Sequence, residues 1–415
     1  MTELFIMLAT TLAAFFLVDP FYSGALLISA FAKTVVLVTS VGSLLFHLVG
    51  RAVMVPARLR AAWSEMVADW WPLLLLCLFV LAGSAYAVYV NGVKESFRGL
   101  GLGMLFLPLM ALSVRTAARP MLLMKCMATI YVLLVLTMLV LLVSTKHLFH
   151  ESIYMAVPLG AYFICASKPR VWQLLLGLAL IGTCAFSFKN TTFIVMLVTL
   201  AGCAAVSVAR IFRTRDRLTA ITQLYLAILV LAAVTAGIYI AYITFRKELP
   251  SGNVDYRMEM YGIAWRHFLS SPIWGSAFTD SSVTYFRLFK VAVGTQYLPT
   301  HSDVLDLLSQ GGTIALALWL GTVWRILSIG WATLRKLMSD APEEDLRPWR
   351  WLFVMVLIQI NAVIVYSFNP PLINPIQGFW IWGGAGVIWA LYLQLTRPPV
   401  EEVRSVRATG KTAWA

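Results

Sequence analysis

The sequence predicts an all-α polytopic membrane protein of about twelve transmembrane helices, with one long outer loop that holds an amphipathic helix. Three observations lead there: the composition, the succession of apolar segments, and the side on which the basic residues fall. Of 415 residues, 60% are hydrophobic and 12% charged. A soluble domain carries roughly 25% charged residues. In a soluble protein the net charge of +13 would suggest nucleic acid. Here it reads as loops held on the cytoplasmic side against anionic lipid, so membrane lipids are expected partners and nucleic acid is not. Cys77, Cys126, Cys165, Cys184 and Cys203 all lie in apolar runs without Cys-x-x-Cys spacing, so neither a disulfide framework nor a thiolate metal site is expected. The N-terminus lacks the basic region of a cleavable signal peptide, and its first apolar stretch reads as a retained helix.

A spanning helix needs about 20 apolar residues. On that measure spans fall near 4–18, 22–47, 71–92, 100–114, 126–145, 153–167, 171–187, 192–209, 219–245, 311–330, 351–367 and 376–395. Asp19-Pro20 separates the first two, since both residues oppose helix continuation in lipid. With the N-terminus inside, twenty of the 32 basic residues fall in short cytoplasmic loops and the tail. The short outer loops hold only Lys94, Arg98, Lys146 and Lys189. That asymmetry puts both termini in the cytoplasm. Residues 1–245 form the N-terminal membrane helices and 246–310 the outer loop. Residues 311–395 form the C-terminal helices and 396–415 a cytoplasmic tail.

Loops as long as 246–310 are usually functional. Within it Met260, Ile263, Ala264 and Phe268 recur at helical spacing, with Arg257, Glu259 and Arg266 as the polar contribution. Ser271-Pro272 ends that helix and Gly275 allows a turn. The helix is expected on the outer membrane–water boundary.

His301 carries the clearest candidate chemistry. Thr300 and Asp303 resemble an [ST]-x-x-[DE] capping box, which would put His301 in the first turn of the helix re-entering the membrane. The positive helix end disfavours imidazolium, leaving a neutral ring able to accept a proton. From the residues alone, Arg257 suits either lipid phosphates or a phosphorylated substrate, because its planar fork binds phosphate oxygens in pairs. Arg266 shares that chemistry with a stronger claim to lipid anchoring, and Lys189 reads first as an interfacial anchor. Asp303 supports the helix start, and Asp306 projects away from His301. No His/Asp/Glu group has metal-ligand spacing, and neither an Asp-x-Asp nor a glycine-rich phosphate loop is present.

Arg257-x-x-x-Tyr261, Ala264, Pro272-x-x-Gly275 and His301-Ser-Asp-Val-Leu305-x-Leu-Leu-x-x-Gly311-Gly together resemble the O-antigen ligase/polymerase superfamily. The motif covers about 55 residues, and the topology extends the likeness loosely over the chain. Tyr261 stands where the family usually has tryptophan. The resemblance implies an inner-membrane glycosyltransferase whose site faces the periplasm, working without metal, nucleotide sugar or cofactor. Its donor would be a glycan on undecaprenyl diphosphate, and its acceptor lipid A–core or another glycan. Arg257 would hold the diphosphate while His301 deprotonates the acceptor hydroxyl, with inversion at the anomeric carbon. Lys189, in Ser187-Phe-Lys189, stands near a position where many members have a second diphosphate-binding arginine. Only one outer loop is long, which leans towards ligase over polymerase. A twelve-helix transporter would need midplane charges, for which Lys33 is the one candidate, and paired helix breaks. A non-catalytic scaffold would leave the Arg257-to-His301 constellation unexplained.

Overall fold

A computed structural model of the protein describes residues 26–91, 103–117, 119–145, 150–166, 169–186, 190–213, 221–222, 225, 252–278, 302–339, 347–367 and 379–397. Among these, the regular structure is helical. The helices are α1 (Leu26–Met54), α2 (Pro56–Asn91), α3 (Phe106–Arg115), α4 (Pro120–Thr145), α5 (His150–Ile164) and α6 (Val171–Gly182). Then follow α7 (Asn190–Arg213), α8 (Gly252–Ser270), α9 (Asp303–Met338), α10 (Arg347–Ser367) and α11 (Gly384–Thr396). A π-helical turn, Phe379–Gly383, leads into α11.

Ten of the twelve expected spans fall largely on described residues; the span at 4–18, all of 219–245 but Ile221, Thr222 and Tyr225, the tail beyond Arg397 and the acidic 340–345 loop lie outside them. By length and composition four described helices are able to cross a membrane: Pro56–Tyr86, Thr191–Ala209, Asp303–Met338 and Arg347–Val365. Val38–Met54, Phe106–Arg115, Met121–Ile130 and Val171–Gly182 are shorter apolar helices. The re-entering helix begins at Asp303, eight residues before the apolar run expected at 311. Polar residues of the expected loop therefore belong to a helix continuous with the bundle.

Small residues let helices approach closely, as packing within a membrane requires. A Cβ on Gly160 of α5 would lie 2.6 Å from the Gly177 carbonyl oxygen of α6. Gly386 of α11 sits against the Leu107 backbone of α3 in the same way. The longest helices, α2 and α9, run antiparallel. Gly83 and Phe79 of α2 lie at the end where α9 begins, and Pro72 packs on Gly321. Further along, Asp69 Oδ2 pairs with Arg325 Nη2 at 2.6 Å. Pro72 also kinks α2, and Trp70 leaves helical geometry (φ −120°, ψ 15°), because proline removes a ladder bond and crowds the preceding turn.

At the end away from the start of α9, side chains tie the bundle. Arg115 Nε donates to Glu65 Oε2 at 2.8 Å, Nη2 donates to Glu65 Oε1 at 3.1 Å, and Nη2 also reaches the Arg397 carbonyl at 3.2 Å. Asp69 Oδ2 additionally accepts from the Trp389 indole at 2.6 Å. These contacts join α2, α3, α9 and α11. Asp69 and Arg325 lie 256 residues apart in the chain, and nothing local to either marks the pair; the side chain of Lys33, the one midplane charge expected, lies outside the described ones.

Candidate functional site

The helix expected around Met260 is α8, and it ends at Ser270 as Ser271-Pro272 requires. Met260 and Ala264 are fully buried and pack with Ile263 against Leu305, in the first turn of α9. Arg257 lies three residues before Met260 and seven before Ala264, so it belongs to that same packed face. Arg257 is half-buried, and its Nε is buried with no hydrogen-bond partner among the described residues. Arg266, nine residues or two and a half turns on, is on the opposite side and exposed. The two arginines that looked alike in sequence thus occupy opposite environments.

Met258, Trp265 and Leu269 form a third stripe, each about half or more exposed. Ile273 and Trp274 of the following turn continue it at 58% and 57% exposure. An apolar stripe of this size on a short helix suits contact with the lipid boundary.

The turn Pro272–Phe278 and a break in α9 complete each other. Gly312 has φ +61° and ψ −160°, a backbone region essentially restricted to glycine. The break deprives α9 of two ladder bonds, Thr313 N to Ser309 O and Ile314 N to Gln310 O. The turn takes up all four groups. Thr313 N donates to the Pro272 carbonyl at 2.8 Å and Ile314 N to the Ile273 carbonyl at 3.4 Å. Ser276 N donates to the Ser309 carbonyl at 3.3 Å and Phe278 N to the Gln310 carbonyl at 2.9 Å. Ser276 Oγ adds a 2.6 Å bond to Gln310 Oε1. An unsatisfied buried backbone group costs about 1–3 kcal/mol, so separating turn from helix would cost several.

Glycines make the approach possible. Gly275, at φ +59°, leaves no room for a side chain: a Cβ would lie 2.6 Å from the Gln310 carbonyl carbon. On Gly312 it would strike the Ile273 carbonyl. Ala277 and Phe278 also hold positive φ, at 53° and 56°, a conformation unfavourable for residues with a Cβ. What holds them is burial: Phe278 is fully buried, edge-on to Phe79 of α2 at 5.1 Å. Gly83 of α2 lies directly against the Ala277 carbonyl. The turn is therefore locked between α2 and α9.

The start of α9 differs from expectation by two residues. The N-cap is Ser302, whose hydroxyl accepts from Leu305 N at 3.3 Å. With Leu305 at the third helical position, the expected Thr300/Asp303 box is not the cap. His301 precedes the cap in the chain, where the sequence reading put it in the first turn. Asp303 and Asp306 are buried in that turn, 3% and 1% exposed, where their charge complements the positive helix end. Among the expected site residues, Arg257, Arg266 and Asp303 are thus placed, while His301 and Lys189 lie outside the described residues.

Sequence reasoning missed Ser276, Gln310, Phe278 and Gly83. A glycine inside an apolar helical run was the one available signal, since it marks close backbone approach.

The turn, α8 and the broken start of α9 all fall within residues 174–320, which match the family described as O-antigen ligase. The superfamily resemblance is borne out. No curated protein matches the chain. The family match supports a membrane glycosyltransferase of ligase or polymerase type acting on glycan or lipid-linked substrates. The matched range includes the segment from Lys189 to Gly312.

Proposed function

We propose that the protein transfers a glycan from undecaprenyl diphosphate to an acceptor hydroxyl at the periplasmic face of the inner membrane. It acts as an O-antigen ligase, joining O-antigen to lipid A–core. The observation that carries this reading is the half-buried Arg257, its Nε enclosed, on the face of α8 that packs on the first turn of α9, directly after His301 in the chain. A guanidinium with an unpartnered buried donor at a lipid boundary suits an anionic substrate group. The exposed stripe of Met258, Trp265 and Leu269 supports a position where a polyprenyl chain remains in lipid.

In this mechanism Arg257 holds the diphosphate with its paired donors and Lys189 adds a point charge. His301 takes the proton of the acceptor hydroxyl as its oxygen bonds to the anomeric carbon. The bond from that carbon to the diphosphate oxygen breaks on the opposite face, giving inversion. Undecaprenyl diphosphate leaves with the electron pair, its added negative charge offset by the cations. No step requires a metal ion or cofactor.

The test is purified protein incubated with lipid-linked glycan and either lipid A–core or a second lipid-linked chain, with products separated by size. Growth of lipid A–core alone is expected. Growth of the lipid-linked chain instead would make the protein a polymerase. Transfer to neither would remove the glycosyltransferase reading.

A further inference from the structure

At the opposite end of the bundle, a cleft of about 430 Å³ opens between α4, α5 and α10. Its floor is the stacked pair Tyr162 and Trp351, with ring centroids 4.6 Å apart. One wall is the side of α4 from Met121 and Met124 to Val132 and Leu133. Lys125 stands four residues in from Met121, so the wall beyond it to Leu133 is about 12 Å long at 1.5 Å per residue, most of the depth of one leaflet of a ~30 Å hydrocarbon core.

The charged lining is two cations, and Thr129, also on the α4 wall, donates its hydroxyl to the Lys125 carbonyl at 2.9 Å. Lys125 and Arg347 both line the cleft and both are exposed. Behind them Arg350 is 8% exposed, its guanidinium 4.6 Å above the Tyr162 ring. Its Nε has no hydrogen-bond partner among the described residues. No acidic side chain lines the cleft among the described residues. The acidic residues Glu343, Glu344 and Asp345 that precede Arg347 lie outside them.

A mainly apolar slot reaching most of the way through one leaflet, with two cations towards its headgroup side, has the charge and shape of an anionic lipid. The geometry points to a binding site for an anionic glycerophospholipid. One acyl chain lies along α4 over Tyr162 and Trp351, and the phosphate sits between Lys125 and Arg347. Basic pockets between membrane helices hold lipid headgroups by this combination. The cleft is at the far end of α9 from the turn, so it is separate from the proposed transfer site.

The full chain, delipidated in a neutral detergent, would be titrated with four probes and followed by native mass spectrometry. These are dioleoyl-phosphatidylglycerol, phosphatidylcholine with the same chains, glycerol 3-phosphate, and a polyprenyl monophosphate. Phosphatidylglycerol should be retained preferentially, and glycerol 3-phosphate should not bind measurably. Replacing both cations, Lys125→Gln with Arg347→Gln, should weaken phosphatidylglycerol binding roughly thirtyfold and leave phosphatidylcholine unchanged. Lys336→Gln, an exposed cation at the same end but outside the cleft, should change nothing. If the double variant fails to fold, Lys125→Gln alone should still weaken phosphatidylglycerol binding about fivefold. Equal retention of the two phospholipids would overturn the site. So would an unchanged preference in the folded variant, or stronger retention of the polyprenyl phosphate.

Discussion

The two ends of the bundle are held together by different chemistry. At the start of α9, four backbone hydrogen bonds join the Pro272–Phe278 turn to the break at Gly312. At the far end, Arg115–Glu65 and Asp69–Arg325 tie the helices through side chains. Backbone bonds fix a position whatever side chains surround it, provided glycine permits the approach. Side-chain pairs fix it only while both partners are present, and long side chains tolerate shifts. A site that must hold a base near a diphosphate to within a fraction of an ångström gains from the first arrangement. The far end needs cohesion more than position. Substitutions near the turn should therefore cost rate, and those at the far end should cost stability.

The largest effect expected is on the proposed base. His301→Ala should lower the transfer rate about 10²- to 10⁴-fold, the usual contribution of general-base catalysis, while thermal unfolding and donor binding stay near normal. Asparagine should not rescue it, since an amide does not accept a proton at neutral pH. His267→Ala on α8 serves as the control and should be close to neutral. Transfer at a near-normal rate by His301→Ala protein would end the general-base reading.

Next is the joint between turn and helix. Gly312→Ala puts a methyl against the Ile273 carbonyl and should lower the rate on the order of 10²-fold, as small misplacements of reacting groups do. Unlike His301→Ala, it should also lower the unfolding temperature. A variant with unaltered rate and stability would show that the docked turn does not position the site.

Arg257→Lys keeps the charge and loses the fork, which should cost roughly 10- to 100-fold in transfer, the worth of a charge-assisted hydrogen bond. Arg266→Lys, on the exposed side of α8, should be nearly silent in the same assay. Equal, negligible losses in both would return Arg257 to a lipid-anchoring role.

The smallest effect on rate belongs to the far end. Asp69→Asn removes the charge facing Arg325 and should lower stability by about 1.5–3 kcal/mol, read by thermal unfolding. The rate per folded molecule should be unchanged. A fall in rate without a fall in stability would contradict the division between the two ends.

Several of these features were legible in the sequence because they are local. The central turns of α8 follow from apolar residues at helical spacing from Met260 to Phe268, and its end from Ser271-Pro272. The turn at Gly275 follows from a residue that accepts positive φ. Membrane character follows from composition, because a chain with this little charge cannot cover itself for water. The cap of α9 was missed by two residues because Thr300 and Ser302 carry the same hydroxyl, and only the backbone geometry chooses between them.

What the tertiary structure alone decided is which distant groups satisfy one another. The sequence contains both Pro272-x-x-Gly275 and Gly311-Gly312, yet neither announces that one completes the ladder of the other. Those bonds join backbone groups 32 to 41 residues apart, and backbone groups are chemically identical at every position. The same holds for Arg257 and Arg266. Their side chains are the same, and the packing of Met260 and Ala264 on Leu305 determines which one is buried. Asp69 and Arg325 are likewise far apart in the chain, and only the antiparallel packing of α2 and α9 pairs them. Local preference is written residue by residue along the chain, whereas satisfaction of buried polar groups depends on neighbours that only folding supplies.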